Sequence, residues 1–140
     1  MKAPSLKVVT LGSILSLATV LSACASPSSS SPLRLVTVDM PQEHGMDARF
    51  EGTLGVDGNG CIHATGPGEP VYTLVWPQGY TVQGDSESFE ILDAGKNVVA
   101  RSGSIVVVGG GLVHDDPLKD HWTERDCANG RLWLVAEEAR

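Results

Sequence analysis

Seven side chains that can bind a metal ion lie close together in one segment near the C-terminal end of the chain. Within 13 positions the sequence places His114, Asp115, Asp116, Asp120, His121, Glu124 and Asp126. Imidazole with carboxylate suits zinc, copper or nickel, and carboxylates alone suit calcium. The two histidines converge if the segment folds back or forms two helical turns. One hypothesis is a metal site on His114, Asp116 and His121, with zinc as the first candidate. The alternative is a solvated polar loop with no cofactor.

Trp122 follows directly after His121 in the same segment. An indole ring that is exposed in a loop can stack on a sugar or pack against a protein partner. Trp122 is therefore a candidate contact residue. Trp76 and Trp133 lie in alternating apolar patterns and are predicted to be core residues.

The sequence carries no recognised arrangement of a nucleophile and a base, and it lacks the Gly-x-Ser-x-Gly motif of serine hydrolases. Residues 57–62 imitate the centre of an EF-hand loop, but Gly55 and Gly66 stand at the first and last ligand positions, where carboxylates are needed. With 17 acidic and 10 basic residues the net charge is −7. This charge argues against a nucleic-acid partner, because phosphate binding requires clustered lysine and arginine. These observations predict a non-enzymatic protein.

The first 24 residues predict export and lipidation. Two lysines precede an uncharged, mostly apolar stretch at residues 8–21. This stretch is shorter than the about 20 apolar residues of a transmembrane helix and is typical of a signal peptide. Residues 21–24 (LSAC) resemble the lipobox of bacterial lipoproteins. The resemblance implies that Cys24 carries a diacylglyceryl group and that the signal peptide, residues 1–23, is cleaved directly before it.

A lipoprotein of this kind is expected on the extracytoplasmic face of the cell membrane, held there by the lipid on Cys24. Residues 24–32 are rich in serine and proline, which predicts an extended tether with little to bury. Residues 33–140 are predicted to form a single domain. The expected partner, besides the membrane, is an envelope protein or a cell-wall component.

Apart from Cys24, the chain contains two cysteines, Cys61 and Cys127. In an oxidising compartment such a pair predicts a disulfide. Closing a loop of roughly 66 residues stabilises a fold by about 4 kcal/mol. The alternative is a nucleophilic Cys61 that His63 activates, because residues two apart on a strand share a face.

From residue 34 onward, apolar residues alternate with period two, which predicts short strands and little helix. These stretches lie at residues 34–39, 49–56, 61–64, 71–76, 80–83, 88–92, 97–101, 104–108 and 131–136. The alternation is weak at 34–39 and at 80–83. The stretch at 104–108 is predicted to be buried on both faces and to end at the three glycines that follow. Seven or eight short strands predict an all-β fold. We expect a small, partly open, OB-like β-barrel with one long loop or short helix, and an immunoglobulin-like sandwich is the alternative.

Three features of the predicted domain are a Gly60-Cys61 turn, the segment 75–79 (VWPQG) and a glycine-rich end after a valine-rich strand. In these features the domain resembles small uncharacterised lipoproteins of high-GC Gram-positive bacteria. The resemblance supports the fold and implies no activity. The functional prediction is a membrane-anchored, non-enzymatic binding or envelope-structural module. A metal-binding or metal-sensing lipoprotein is the alternative.

Overall fold

The computed structural model describes residues 31–41, 46–68, 70–114 and 119–136. The described chain is all-β, with strands β1 (Ala48–Val56), β2 (Ile62–Thr65), β3 (Val71–Val75), β4 (Thr81–Gly84), β5 (Phe89–Leu92), β6 (Val98–Arg101), β7 (Ile105–Val113) and β8 (Arg131–Val135). Two short 3₁₀ turns, Lys119–His121 and Arg125–Cys127, precede β8. None of the described helices is long and apolar enough to cross a membrane. The predicted signal peptide, Cys24 and the tether up to residue 30 lie outside the described residues.

Five of the strands close into a barrel in the order β1-β2-β3-β8-β7, with β1 paired to β7. Neighbouring strands are antiparallel except for β3 and β8, which run parallel. This is the arrangement of an OB-like barrel, in which β7 and β8 take the places of the fourth and fifth strands. The predicted all-β, OB-like barrel is confirmed, although it is closed rather than partly open, and the immunoglobulin-like alternative is not adopted.

The turn between β1 and β2 follows from its sequence. Oδ1 of Asp57 accepts hydrogen bonds from the backbone N–H groups of Asn59 at 2.8 Å and Cys61 at 3.0 Å, which is a favoured use of aspartate in turns. Gly60 has a φ of +82°, and a Cβ atom there would lie 2.2 Å from the carbonyl oxygen of Pro32. Glycine is therefore required, both to reverse the chain and to let Pro32 approach the turn.

Strands β4, β5 and β6 form a separate antiparallel sheet that is inserted between β3 and β7. Buried side chains of this sheet, Phe89, Ile91 and Ala100, join the barrel core. Trp76 and Trp133 belong to the same core, which confirms the prediction for both residues. The barrel and the small sheet therefore share one hydrophobic core.

Strand β7 differs from its prediction in length and in burial. It continues through the three glycines to Val113, and Ile105 is 70% exposed whereas the next residue, Val106, is buried. The glycines do not end the strand, because they allow it to approach β8 closely. A Cβ atom on Gly110 would lie 1.9 Å from the carbonyl oxygen of Leu134. The first half of β7 alternates because one face packs inside the barrel and the other lies outside.

Residues 33–39, which we call the N-terminal segment, cross the outside of the barrel as an extended chain. The weak strand predicted at residues 34–39 is present as isolated bridges to Cys61, Trp76 and Trp122. On one side the segment exchanges backbone hydrogen bonds with Trp76, and on the other it bonds to residues 121–123. The segment is thus held between the barrel and the loop that precedes β8.

Candidate functional site

The long loop between β7 and β8, residues 114–130, is fastened to the barrel by a disulfide. Cys61, at the end of the β1–β2 turn, is bonded to Cys127, with the two Cα atoms 5.4 Å apart. The Thr73 hydroxyl on β3 donates a hydrogen bond to the carbonyl oxygen of Asn129 at 2.9 Å. The predicted disulfide is confirmed. The alternative of a nucleophilic Cys61 is wrong, because its sulfur is already bonded.

Trp122 lies in this loop, but its ring is closed off from solvent. The residue is 7% exposed, and it belongs to a small apolar cluster outside the barrel with Val36, Val38, Cys61, Val75 and Cys127. Its indole N–H has no hydrogen-bond partner among the described residues. The prediction of an exposed contact residue is wrong, because the N-terminal segment folds over the ring and supplies two valines that bury it.

The residues of the predicted metal site are only partly described. His114 and His121 are exposed, whereas Asp115 and Asp116 lie outside the described residues. Neither histidine belongs to a group of three potential ligands within the described part of the chain. A metal site on His114, Asp116 and His121 therefore stays a prediction.

The described residues contain one close group of three side chains of the kinds that bind metal ions, namely Glu124, Asp126 and Cys127. An arginine already binds its carboxylates. Arg34 of the N-terminal segment donates hydrogen bonds to Glu124 at 2.6 Å and to Asp126 at 2.5 Å. The hydrogen bond from Arg34 lowers the pKa of Asp126, and the carboxylates of Asp126 and Glu124 raise the pKa of Arg34. The sulfur of Cys127 is held in the disulfide. The group therefore fastens the N-terminal segment to the loop, with a guanidinium in the place of a metal ion.

A cleft of about 600 Å³ opens between β6, β7 and the end of β8. Its apolar walls include Val98 and Val99 on β6 and Val107 on β7, which are 38%, 40% and 47% exposed. Trp76 and Tyr80 line its inner end with stacked rings, whose centroids are 5.8 Å apart. Single exposed apolar side chains are ordinary, but several around one concave opening are typical of a binding site. We call this opening the β6–β7 cleft.

The backbone that borders the cleft is incompletely paired. Strand β6 is the last strand of the small sheet, and in the part of the chain that the structure describes it pairs with β5 alone. On one side, residues 105–108 of β7 pair with β1. On the other side, β8 pairs with β7 only from Gly110 onward, and the N–H of Ala136 donates to the carbonyl oxygen of Gly109 at 3.0 Å. Within the described residues, each side of the cleft therefore has a strand edge without a neighbouring strand.

A β-bulge shapes the β6 side of the cleft. Ala100 lies opposite Ile91, but the next pair along the strands joins Leu92 to Val98, so Val99 is an extra residue. Consecutive side chains of a regular strand point to opposite faces. The bulge changes this, and both Val98 and Val99 line the cleft. Bulges are frequent next to functional sites because they redirect a side chain.

Asp93 is a buried acidic residue that lines the cleft, and its carboxylate holds the β5–β6 turn. It accepts hydrogen bonds from the backbone N–H of Asn97 at 2.9 Å and from the Asn97 side-chain amide at 3.2 and 3.1 Å. Lys96, in the same turn, has a φ of +66°. The carboxylate is engaged in these bonds, so the cleft offers a ligand apolar contact from its valines and hydrogen bonding from the strand edges beside them.

Sequence reasoning located β6 but did not identify the cleft. The available signal was the adjacent pair Val98 and Val99, which interrupts the alternation expected of a strand with one buried face. That signal becomes meaningful only when the strand is known to lie at the edge of its sheet.

No protein-family model matches this chain, and no match was found among curated proteins or among solved structures. The candidate site therefore rests on the geometry and chemistry of the β6–β7 cleft.

Proposed function

We propose that this protein is a non-enzymatic binding module of the cell envelope, anchored to the extracytoplasmic face of the cell membrane through a diacylglyceryl group on Cys24. The observation that carries the binding role is the β6–β7 cleft, whose valines are exposed around a concave opening. The partner is an envelope protein or a cell-wall component. The net charge of −7 favours a neutral or basic partner.

The point at which the folded domain holds the start of the N-terminal segment supports attachment through a short tether. Seven positions separate Cys24 from Ser31, so the tether spans at most about 25 Å. Shortly after Ser31, the backbone N–H of Arg34 donates to the carbonyl oxygen of Gly60 at 2.8 Å, next to the disulfide at Cys61. A pull on the tether would therefore act where the domain is covalently cross-linked.

The anchor is tested by replacing Cys24. Cys24→Ala removes the thiol that would receive the lipid, so we expect uncleaved precursor and no lipid-modified N-terminal peptide in mass spectrometry of membrane fractions. Ser26→Ala, in the tether, is the matched control and should be cleaved and lipidated. Normal processing and membrane retention of Cys24→Ala would exclude the anchor.

The binding role is tested by photo-cross-linking on intact cells. A benzophenone amino acid replaces Val99 in the cleft or, as a control, Glu87, an exposed residue between β4 and β5. We expect a reproducible adduct from position 99 that position 87 does not give. The binding role is wrong if position 99 captures no reproducible neighbour, or if both positions capture the same molecules.

A further inference from the structure

We infer that the β6–β7 cleft binds one extended polypeptide strand of an envelope protein, which adds to the edges of β6 and β7 by β-augmentation. This inference rests on the proposed function and specifies the partner further, as a polypeptide rather than a glycan.

The backbone around the cleft supports a polypeptide ligand. Strands β6 and β7 are joined by a tight turn in which the Ser104 N–H donates to the Arg101 carbonyl at 3.3 Å. Beyond the turn, β6 pairs with β5 and residues 105–108 of β7 pair with β1, so the two strands separate into different sheets. An extended chain placed between them would find N–H and C=O groups on both sides.

The direction of the backbone groups on β7 follows from strand alternation. The Gly109 carbonyl accepts a hydrogen bond from the N–H of Ala136, which follows β8, so it points away from β1. Residues two positions apart in an antiparallel strand direct their backbone groups to the same side. The N–H and C=O groups of Val107 therefore also point away from β1, toward the side on which an added strand would lie.

The size and the lining of the cleft define the strand that fits. A strand residue occupies roughly 3.3 by 4.8 by 10 Å, or about 160 Å³. A cleft of about 600 Å³ therefore accepts roughly four residues. Alternate side chains would face the valine walls and the Trp76–Tyr80 pair, which selects apolar residues at every second position. The negative net charge disfavours acidic residues at the others.

The test uses the detergent-solubilised, purified protein and a pool of end-blocked heptapeptides. The pool has Val, Ile, Leu, Phe or Tyr at every second position and Thr or Lys elsewhere. We expect the amides that point toward the cleft, those of Arg101 on β6 and of Ile105 and Val107 on β7, to exchange hydrogen at least about tenfold more slowly with the pool present. A matched pool with alternate backbone amides N-methylated keeps its side chains but loses donors along one edge, and it should not protect these amides.

Two lysine variants test where the peptide binds. Val99→Lys places a charge on the β6 edge, which natural sheets use to prevent strand addition, so the protection should be lost. Val71→Lys changes a residue that is 53% exposed and does not line the cleft, so the protection should be kept. The inference is overturned if no peptide protects either edge, or if the N-methylated pool protects equally well. Cross-linking from position 99 without such protection would exclude the strand and leave the binding role intact.

Two other occupants of the cleft would give different results. Residues 137–140 follow Ala136 in the sequence. If they fill the cleft, the amides of Ile105 and Val107 exchange slowly without any peptide, and a chain that ends at residue 136 loses this protection. If a second copy fills it, the protein sediments as a dimer and Val99→Lys as a monomer. Either result overturns the assignment to a partner strand.

Discussion

Two surfaces outside the hydrophobic core differ in how far the chain covers its own apolar residues. On the outer face of β3, Thr73 and Val75 are buried, because the N-terminal segment and the β7–β8 loop lie over them. At the β6–β7 cleft, Val99 and Val107 are exposed. The backbone groups of the N-terminal segment are paired on both sides. The cleft, in contrast, borders two strand edges that have no neighbouring strand among the described residues.

The covered surface is the one that OB-like barrels commonly use for binding. Their ligands lie on the second and third strands, between the loops that follow the first and fourth strands. Here those loops, residues 57–61 and 114–130, are joined by the disulfide, and the N-terminal segment lies between them. The usual binding surface of the fold is therefore occupied by the chain itself, so the fold alone does not locate the binding site.

Loss of the disulfide tests the covered surface and has the largest expected effect. Cys61→Ala or Cys127→Ala opens a cross-link between residues 66 positions apart, which should lower the free energy of unfolding by about 4 kcal/mol. Both residues belong to one bond, so the two single variants and the double variant should be equally stable in urea unfolding. Clearly unequal single variants would mean that the cysteines stabilise the fold separately.

The disulfide variants should also affect the two surfaces differently. We expect amide exchange to accelerate most in residues 33–39, which the linked loops hold in place. Val98–Arg101 pair with β5, which the disulfide does not join, so their amide exchange should accelerate less. Equal acceleration there would mean that the cleft depends on the disulfide.

The barrel strands were predictable from sequence because they depend on local patterns. Phe50 and Leu54 alternate with polar residues along β1, and both are buried in the core. The DGNG turn likewise has its own local signal in Asp57 and Gly60. In such elements the apolar residues are those on the buried face, so period-two alternation is sufficient to predict the strand.

The errors arose where distant segments meet. Trp122 looks like an exposed loop residue until Val36 and Val38, more than 80 positions earlier, fold over it. The glycines of β7 look like a strand end until the close approach of Leu134 is known. The cleft was missed for the same reason, because the order of strands in space decides which edges stay unpaired.

Two identical substitutions, one on each surface, sharpen the comparison. Val36 is 1% exposed under the β7–β8 loop, whereas Val99 is 40% exposed in the cleft. Val36→Ala should lower the free energy of unfolding by about 2 kcal/mol, because it leaves a cavity in a packed cluster. Val99→Ala should change it by less than about 0.5 kcal/mol. Similar losses in urea unfolding of the two variants would mean that the cleft is packed like the covered surface.

The ion pairs of Arg34 give the smallest expected effect, and this effect depends on pH. The hydrogen bond from Arg34 holds the pKa of Asp126 below its ordinary value of 3.8 in the folded protein. The unfolded chain therefore takes up the proton at a higher pH than the folded chain, so this stabilisation is present above about pH 4 and is lost as the pH falls through the lowered pKa.

The measurement is the melting temperature of the wild type and of Arg34→Met between neutral and acid pH. We expect Arg34→Met to melt slightly below the wild type at neutral pH, and the gap to close as Asp126 becomes protonated. Arg49→Met is the matched control, because Arg49 pairs with Glu51 on the outside of β1, where both side chains are largely exposed. Its effect should be smaller than that of Arg34→Met, since exposed ion pairs contribute little. If the melting temperatures of the two variants fall equally, Arg34 fastens the N-terminal segment no more than an ordinary surface pair would, and the segment is held by its backbone hydrogen bonds and its buried valines.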